Sequence, residues 1–372
     1  MKKFDENNMN ELKCSAEAIA EATQALYPEQ VSTGFGVQVP YALGGKDPLD
    51  FVEVYLIEGE TSYWHYITYG FSELYDDEEE MADDNMENTM LEEDDDLESD
   101  DFSEESGYGF ELSFRLKKTS DEPPVWPVNL LQNLARYVFS SGNVFADGHH
   151  LDCNGPIALE TDTKLSALGF LEDSELGTIE TTSGKITFLQ VIGITYPEME
   201  ALMCWNSHLF LDSLLKYVPA GITDLERDCL MKNTEFYKIW EQGVERDGST
   251  TAALYMNEFS CCMENNQLLI RMGAGHVDTF MTMLKARVGK DRVLYITVKD
   301  VTYCFQLAEN NGYGHEEADF CLIEFAQKTL QDIFEILKPH KGEYVSKVSP
   351  LKFIVTTTII TDTNGNVLEV IE

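Results

Sequence analysis

The chain has 372 residues, 43% of them hydrophobic and 11% aromatic, enough apolar material for two cores, which excludes a wholly disordered polypeptide. Its 67 acidic residues outnumber 26 basic ones, and the net charge of −41 argues against binding nucleic acid in a basic groove or docking on an anionic membrane. Electrostatics instead favours a protein partner with a basic patch.

Taken in chain order, Met9, Leu12, Ala16, Ile19, Ala20, Thr23 and Leu26 recur at helical spacing, and Pro28 stops the helix. Met1-Lys2-Lys3-Phe4 leads straight into Asp5, Glu6 and Asn7, where a secretory signal would need an apolar stretch. No segment approaches the roughly 18 uninterrupted apolar residues of a membrane span, so a cytoplasmic protein is expected. Gly34 to Tyr41 alternates as a half-buried strand should. Gly44-Gly45-Lys46-Asp47-Pro48 reads as a turn, and it lacks the first glycine and the Ser or Thr of a phosphate loop. Strands are predicted over Phe51 to Ile57 and Tyr63 to Tyr69. The aromatics of the second strand fit either a core face or an aromatic anchor at a binding surface.

From Asp76 to Glu105 there are 18 Asp or Glu and no Lys or Arg. Like charges cannot be packed into a core, so residues 76–106 are predicted as a disordered, solvated insertion, or as a lure for a basic partner. The rest of the chain carries a net charge of −23. Tyr108 to Leu116 then alternates again, with Phe110, Leu112, Phe114 and Leu116 on one face, as if the acidic stretch were inserted between two strands of one antiparallel sheet. Pro123 to Pro127 open a helix with the stripe Leu130, Leu131, Leu134, Val138 and Phe139, and Gly142 is placed to cap it. A strand from Lys185 to Ile194 and a helix from Pro197 to about Tyr217 complete a first domain, residues 1–241.

Residues 242–250 read as a linker, and residues 251–372 as a second domain. There a strand from Gln267 to Arg271 leads through Gly273-Ala274-Gly275 into a helix containing Val277, Phe280, Met281 and Leu284. Strands from Arg292 to Val298 and Thr302 to Leu307 follow, then a helix from Ala318 to Leu337. A β-rich tail from Leu351 to Ile360 turns at Asn364-Gly365. The predicted fold class is α+β, with each domain a largely antiparallel sheet flanked by helices.

Little in this pattern promises catalysis. Asp147-Gly148-His149-His150-Leu151-Asp152-Cys153 gathers metal-ligand types, yet the same residues suit a hydrogen-bonded structural loop or a partner-binding loop. Cys153 beside His150 is conceivable as a nucleophile only if the fold aims one at the other. The G-x-G triplets at residues 34, 107, 273 and 312 lack a third glycine, and there is no G-x-S-x-G elbow or HExxH. Eight cysteines without a CxxC pair read as reduced thiols. No cofactor is expected, and a binding protein is a better reading than an enzyme.

Several ordered blocks resemble one family, the suppressor of fused proteins. They are Leu43-Gly44-Gly45-Lys46-Asp47-Pro48-Leu49-Asp50, Trp64-His65-Tyr66-Ile67-Thr68-Tyr69-Gly70-Phe71-Ser72-Glu73-Leu74-Tyr75, and Gly107 to Lys117. Trp126-Pro127 with Leu134 to Phe139, Thr187 to Ile194 and Ile222-Thr223-Asp224 continue the match, which covers about residues 15–230. Leu284-Lys285-Ala286-Arg287 and Arg292 resemble the family's second domain more loosely. The resemblance implies a protein that sequesters another polypeptide without catalysis. Animal members hold a Gli-type transcription factor by clamping a peptide between two domains as an added β-strand. Bacterial members are thought to be immunity proteins against toxins. The primary expectation is therefore an immunity protein neutralising a cognate toxin; the alternative is a regulator of a Gli-type factor. By the same resemblance the partner-binding residues are Tyr137, near the peptide pocket, and His150, from a Gly-Asp-His loop. His149 stands where animal members carry an acid, and Asp147 or Asp152 would supply a carboxylate in its place.

Overall fold

The computed structural model describes residues 13–73, 105–317, 319–361 and 367–372. Nearly all of the acidic stretch and the Asn364-Gly365 turn lie outside the described residues. The chain divides into two compact units, the first comprising residues 1–196 and 215–228, the second residues 197–214 and 229–372.

The first unit contains α1 (Ser15–Leu26), β1 (Thr33–Gly36), β2 (Phe51–Ile57), β3 (Tyr63–Tyr69), β4 (Glu105–Lys117), α2 (Trp126–Ser141), β5 (His150–Asp152), β6 (Leu165–Glu172), β7 (Thr178–Thr181) and β8 (Gly184–Thr195). Its strands form one sheet in the order β1-β2-β3-β4-β8-β6-β5, with β7 paired to β8. β2 and β3 occupy the predicted residues, because their apolar runs are bounded by turn residues on both sides. β3 and β4 pair antiparallel, so the acidic stretch does fall between two paired strands of one sheet. β4 and β8, however, pair in parallel, which makes the sheet mixed. The strand predicted from Gly34 to Tyr41 ends at Gly36, and Tyr41–Leu43 forms a 3-10 turn.

Both faces of this sheet are covered. α2 packs Leu131, Leu134, Ala135 and Val138 onto Val52, Trp64, Tyr66, Leu112 and Phe114. On the other face Ile19 and Tyr27 meet Tyr55, Ile67, Tyr69 and Phe188. Every residue of β3 is buried, so its aromatics are core and not a surface anchor. The alternating polar residues of β4 are likewise inside. Glu111, Ser113 and Arg115 are buried: Glu111 accepts from Gly70, Thr68 and Ser72, and Ser113 and Arg115 donate to Asp173, while the Arg115 Nε–H makes no hydrogen bond among the described residues.

The second unit holds α3 (Tyr196–Cys204), α4 (Ser207–Leu215), α5 (Thr234–Asp247), β9 (Ala253–Tyr255), β10 (Phe259–Glu264), β11 (Gln267–Gly273), α6 (Val277–Ala286), β12 (Leu294–Val298), β13 (Val301–Ala308), β14 (Gly312–Glu317), β15 (Phe320–Ala326), α7 (Gln327–Ile336), β16 (Gly342–Val345), β17 (Leu351–Thr356), β18 (Thr358–Thr361) and β19 (Val367–Ile371). A four-stranded sheet runs β10-β11-β17-β16 with one parallel pair and a five-stranded one β14-β15-β13-β12-β9 with two; β18 and β19 pair separately. Phe280 of α6 meets Phe305 of the five-stranded sheet and Phe353 of the four-stranded one, with ring centroids 5.7 and 6.3 Å apart.

Three expectations change here. The helix predicted from Ala318 to Leu337 is β15 followed by α7, because Cys321, Ile323 and Phe325 are buried at every second position. The stretch 242–250 is helical as far as Asp247, with Val244 buried, and so is not an open linker. The helix from Pro197 to Tyr217 is two helices, of which residues 197–214 group with the second unit.

Candidate partner-binding edge

Helix α2 starts with Pro127 in its first turn, where the missing N–H removes no helical bond, and ends at Gly142. Gly142 has φ 71°, a left-handed cap conformation, and its N–H donates to the Val138 carbonyl at 2.8 Å. Gln132 fastens the helix to the glycine-rich turn: its side chain accepts from the Leu49 N–H at 3.2 Å and donates to the Leu49 carbonyl at 2.7 Å. With Leu131, Leu134, Ala135 and Val138 turned inward, Tyr137 is left on the open side.

Tyr137 stacks on Phe145 at 5.8 Å, and Phe145 stacks on Phe170 of β6 at 4.2 Å. The chain then turns at Ala146–His149, where the His149 N–H donates to the Ala146 carbonyl. The Asp147 carboxylate accepts from the Glu172 N–H at 3.1 Å, which ties the turn to the end of β6. β5 follows as the last strand of the sheet, antiparallel to β6, with His150 opposite Gly169, Leu151 opposite Leu168 and Asp152 opposite Ala167.

The ladder decides which backbone groups are available. The Phe170 N–H bonds the His149 carbonyl at 3.0 Å, and the Cys153 N–H bonds the Ser166 carbonyl at 3.0 Å. Antiparallel pairs alternate between hydrogen-bonded and non-bonded positions, so Leu151 shares the bonds with Leu168. The N–H and C=O of His150 and Asp152 therefore face away from β6, toward the side of β5 on which no strand pairs among the described residues. An unpaired edge of this kind is a template for another strand.

The turn and β5 carry Asp147, His149, His150 and Asp152, while Tyr137 stands on α2 and reaches this region through Phe145; the residues singled out in the sequence take different roles. Tyr137 forms an aromatic wall, and His149 projects exposed from the turn. His150 is half-buried; burial first, and His149 second, holds its imidazole below the ordinary histidine range, so it is neutral at pH 7. Asp152 accepts from the Asn154 N–H at 2.8 Å, so both aspartates shape the loop as well as charging it. Burial, then Asp152, pushes the Cys153 thiol up to about 11, which disfavours the thiolate a nucleophile would need. Among the described residues no group of three His, Cys, Asp or Glu is arranged to hold a metal. The stack of Phe145 on Phe170 escaped the sequence reading, although the apolar run from Leu165 to Leu171 marks a buried strand there.

Comparison with known proteins agrees with this architecture. The crystal structure of Drosophila suppressor of fused aligns over 92% of this chain and 97% of its own, with 20% identity and a TM-score of 0.73, a likeness of fold. A chain of the crystal structure of a Sufu–Fu complex is 28% identical and aligns over 63% of this chain and 99% of its own, with a TM-score of 0.53. Human suppressor of fused homolog is 34% identical over 252 residues, 64% of this chain, and this chain spans about half (48%) of the human protein's length. Residues 45–228 match the family model of suppressor of fused protein, and the chain belongs to the suppressor of fused family.

Proposed function

We propose that the protein is a non-enzymatic binding protein that takes a segment of another polypeptide as an added strand along β5. The observation that carries this reading is the pair of outward-facing peptide groups at His150 and Asp152 on β5. Main-chain hydrogen bonds to such an edge supply affinity, and flanking side chains supply selectivity. Support for a protein partner comes from the structural relative solved as a Sufu–Fu complex. The raised Cys153 thiol disfavours a thiolate nucleophile in this loop, in keeping with a binding role.

The finer reading is an immunity protein that neutralises a cognate toxin by stoichiometric binding. A net charge of −41 suits a partner whose working surface is basic, as a nuclease's must be. Sequestration of a Gli-type transcription factor, the second reading, rests on the resemblance to animal members of the family. Against it, His149 stands where that mode uses an acid, and a histidine facing a histidine loses the charge-assisted bond.

Co-expression with the polypeptide encoded beside this protein's own gene tests the first reading. The wild type restores growth, and His150→Pro does not, because proline removes an outward N–H while leaving the bonds to β6 in place. Failure of every neighbouring product to be toxic, or equal rescue by the proline variant, contradicts it. Calorimetry with a Ser-Tyr-Gly-His peptide tests the second, and no heat at high micromolar peptide is the expected result.

A further inference from the structure

The chain has only 26 basic residues, yet four of them, Lys338, Lys341, Lys347 and Lys352, fall in a run of 15 residues that contains one acid, Glu343. This run leads from the end of α7 through β16 into β17. Lys338, Lys341 and Lys347 are exposed and make no ion pair among the described residues. Lys352 reaches Glu343 at 2.7 Å, so the acid of the run is already paired. Asp332 of α7 is buried, and its carboxylate accepts the Lys347 N–H at 3.0 Å. β16 is the last strand of the four-stranded sheet and pairs antiparallel with β17, Tyr344 opposite Phe353. One pair further on, the Ser346 N–H donates to the Leu351 carbonyl at 2.9 Å. By the alternation of antiparallel pairs, Tyr344 and Gly342 then share the bonds with β17. The N–H and C=O of Glu343 and Val345 point instead to the side of β16 on which no strand pairs among the described residues. Val345 is 53% exposed and Val348 45%, so apolar surface lies along the same strand end.

We infer that β16 is a second strand-addition edge, distinct from β5, and that it takes an extended segment of a partner in which Asp or Glu alternates with apolar residues. The lysines select the occupant. Lysine at a sheet edge discourages pairing with most strands, and its charge becomes an attraction only for a strand that brings carboxylates. Lys341 precedes the strand and Lys347 follows it, so both ends of an added strand meet an unpaired cation. The chain's overall negative charge opposes the approach of acid, but at 0.1 M salt that field is screened beyond about 10 Å. Within that range the run around β16 is basic. β5, by contrast, lies among Asp147, Asp152 and Glu172, so the two edges choose segments of opposite charge.

Calorimetric titration of the full chain tests this with synthetic peptides of about eight residues, which when extended reach from Lys341 to Lys347. Three are compared: one alternating Glu with Val, one alternating Lys with Val, and one with the charges of the first but proline in place of every valine. The Glu–Val peptide binds one-to-one, and the other two bind at least about tenfold more weakly. The double variant Lys341→Glu with Lys347→Glu weakens the first peptide by a similar factor. So does Val345→Pro, which removes an outward N–H and keeps the bonds to β17. His150→Pro leaves this binding unchanged. In the wild type the amides of Glu343 and Val345 exchange freely, and saturating Glu–Val peptide protects them. Equal binding of the proline peptide, equal binding to the double lysine variant, or absence of binding by the Glu–Val peptide overturns the proposal. Protection of both amides before any peptide is added also overturns it, since the chain itself or a second copy would then cover the edge.

Discussion

Arg115 is 1% exposed, and its guanidinium is held from several sides. Asp173 accepts from Nη2 at 2.8 and 3.0 Å, Glu175 accepts at 2.7 Å, and Nη1 reaches Gln190 and the Ala220 carbonyl. Burial alone would push the Asp173 carboxyl up, but Arg115, His65 and the Ser113 hydroxyl hold it below the ordinary range. Removing one member of such a pair leaves a buried charge uncompensated, so Asp173→Asn costs about 3 kcal/mol by urea denaturation. The double variant Arg115→Met with Asp173→Leu recovers most of that loss. Two other buried groups set the pH dependence. Burial pushes Glu111 up to about 7 against donors at Gly70, Thr68 and Ser72. A folded carboxyl that keeps its proton to higher pH gives stability that is complete below 4.5 and lost as pH rises through about 7. Burial holds His65 down at about 3, so its contribution is present above 6.5 and lost as pH falls. Between pH 4.5 and 6.5 the two contributions offset each other, so from these groups stability is greatest in that window, falling on the acid side with His65 and on the alkaline side with Glu111. Glu111→Gln flattens the alkaline side, and between pH 6 and pH 8 the wild type loses about 1 kcal/mol more than the variant.

At the scale of elements, α2 depends on its C-cap, and the space around Gly142 is open. Gly142→Ala therefore meets only backbone strain and costs about 1 kcal/mol, read as a lower Tm with the strand-addition edge still formed. The elements legible in the sequence are those with long, unmixed periodicity. β2 and β3 fell on the predicted residues, and α2 was bounded by its Pro127 and Gly142 signals. Where two periods meet, the sequence misleads: Phe320 to Ile336 passes from strand to helix without a Gly or Pro between them. β5 was invisible for a different reason, since three residues cannot display an alternation. The site residues in and around it came from family resemblance, and only the ladder with β6 shows which of their peptide groups face outward. Polarity misled as well, because Glu111, Ser113 and Arg115 alternate as a wet face would and yet lie inside.

At the scale of the molecule, charge and edge cooperate. In the proposed mode, a net charge of −41 speeds the approach of a basic partner over distances set by the salt concentration, and the short edge at β5 converts the encounter into a specific pairing. Amide hydrogen exchange by NMR, with and without the bound partner polypeptide, tests this most directly. The amides of His150 and Asp152 exchange freely in the unbound protein and become protected in the complex, while Leu151 and Cys153, already bonded to β6, change little. Unaltered exchange at residues 150 and 152 in a saturated complex would contradict strand addition at this edge.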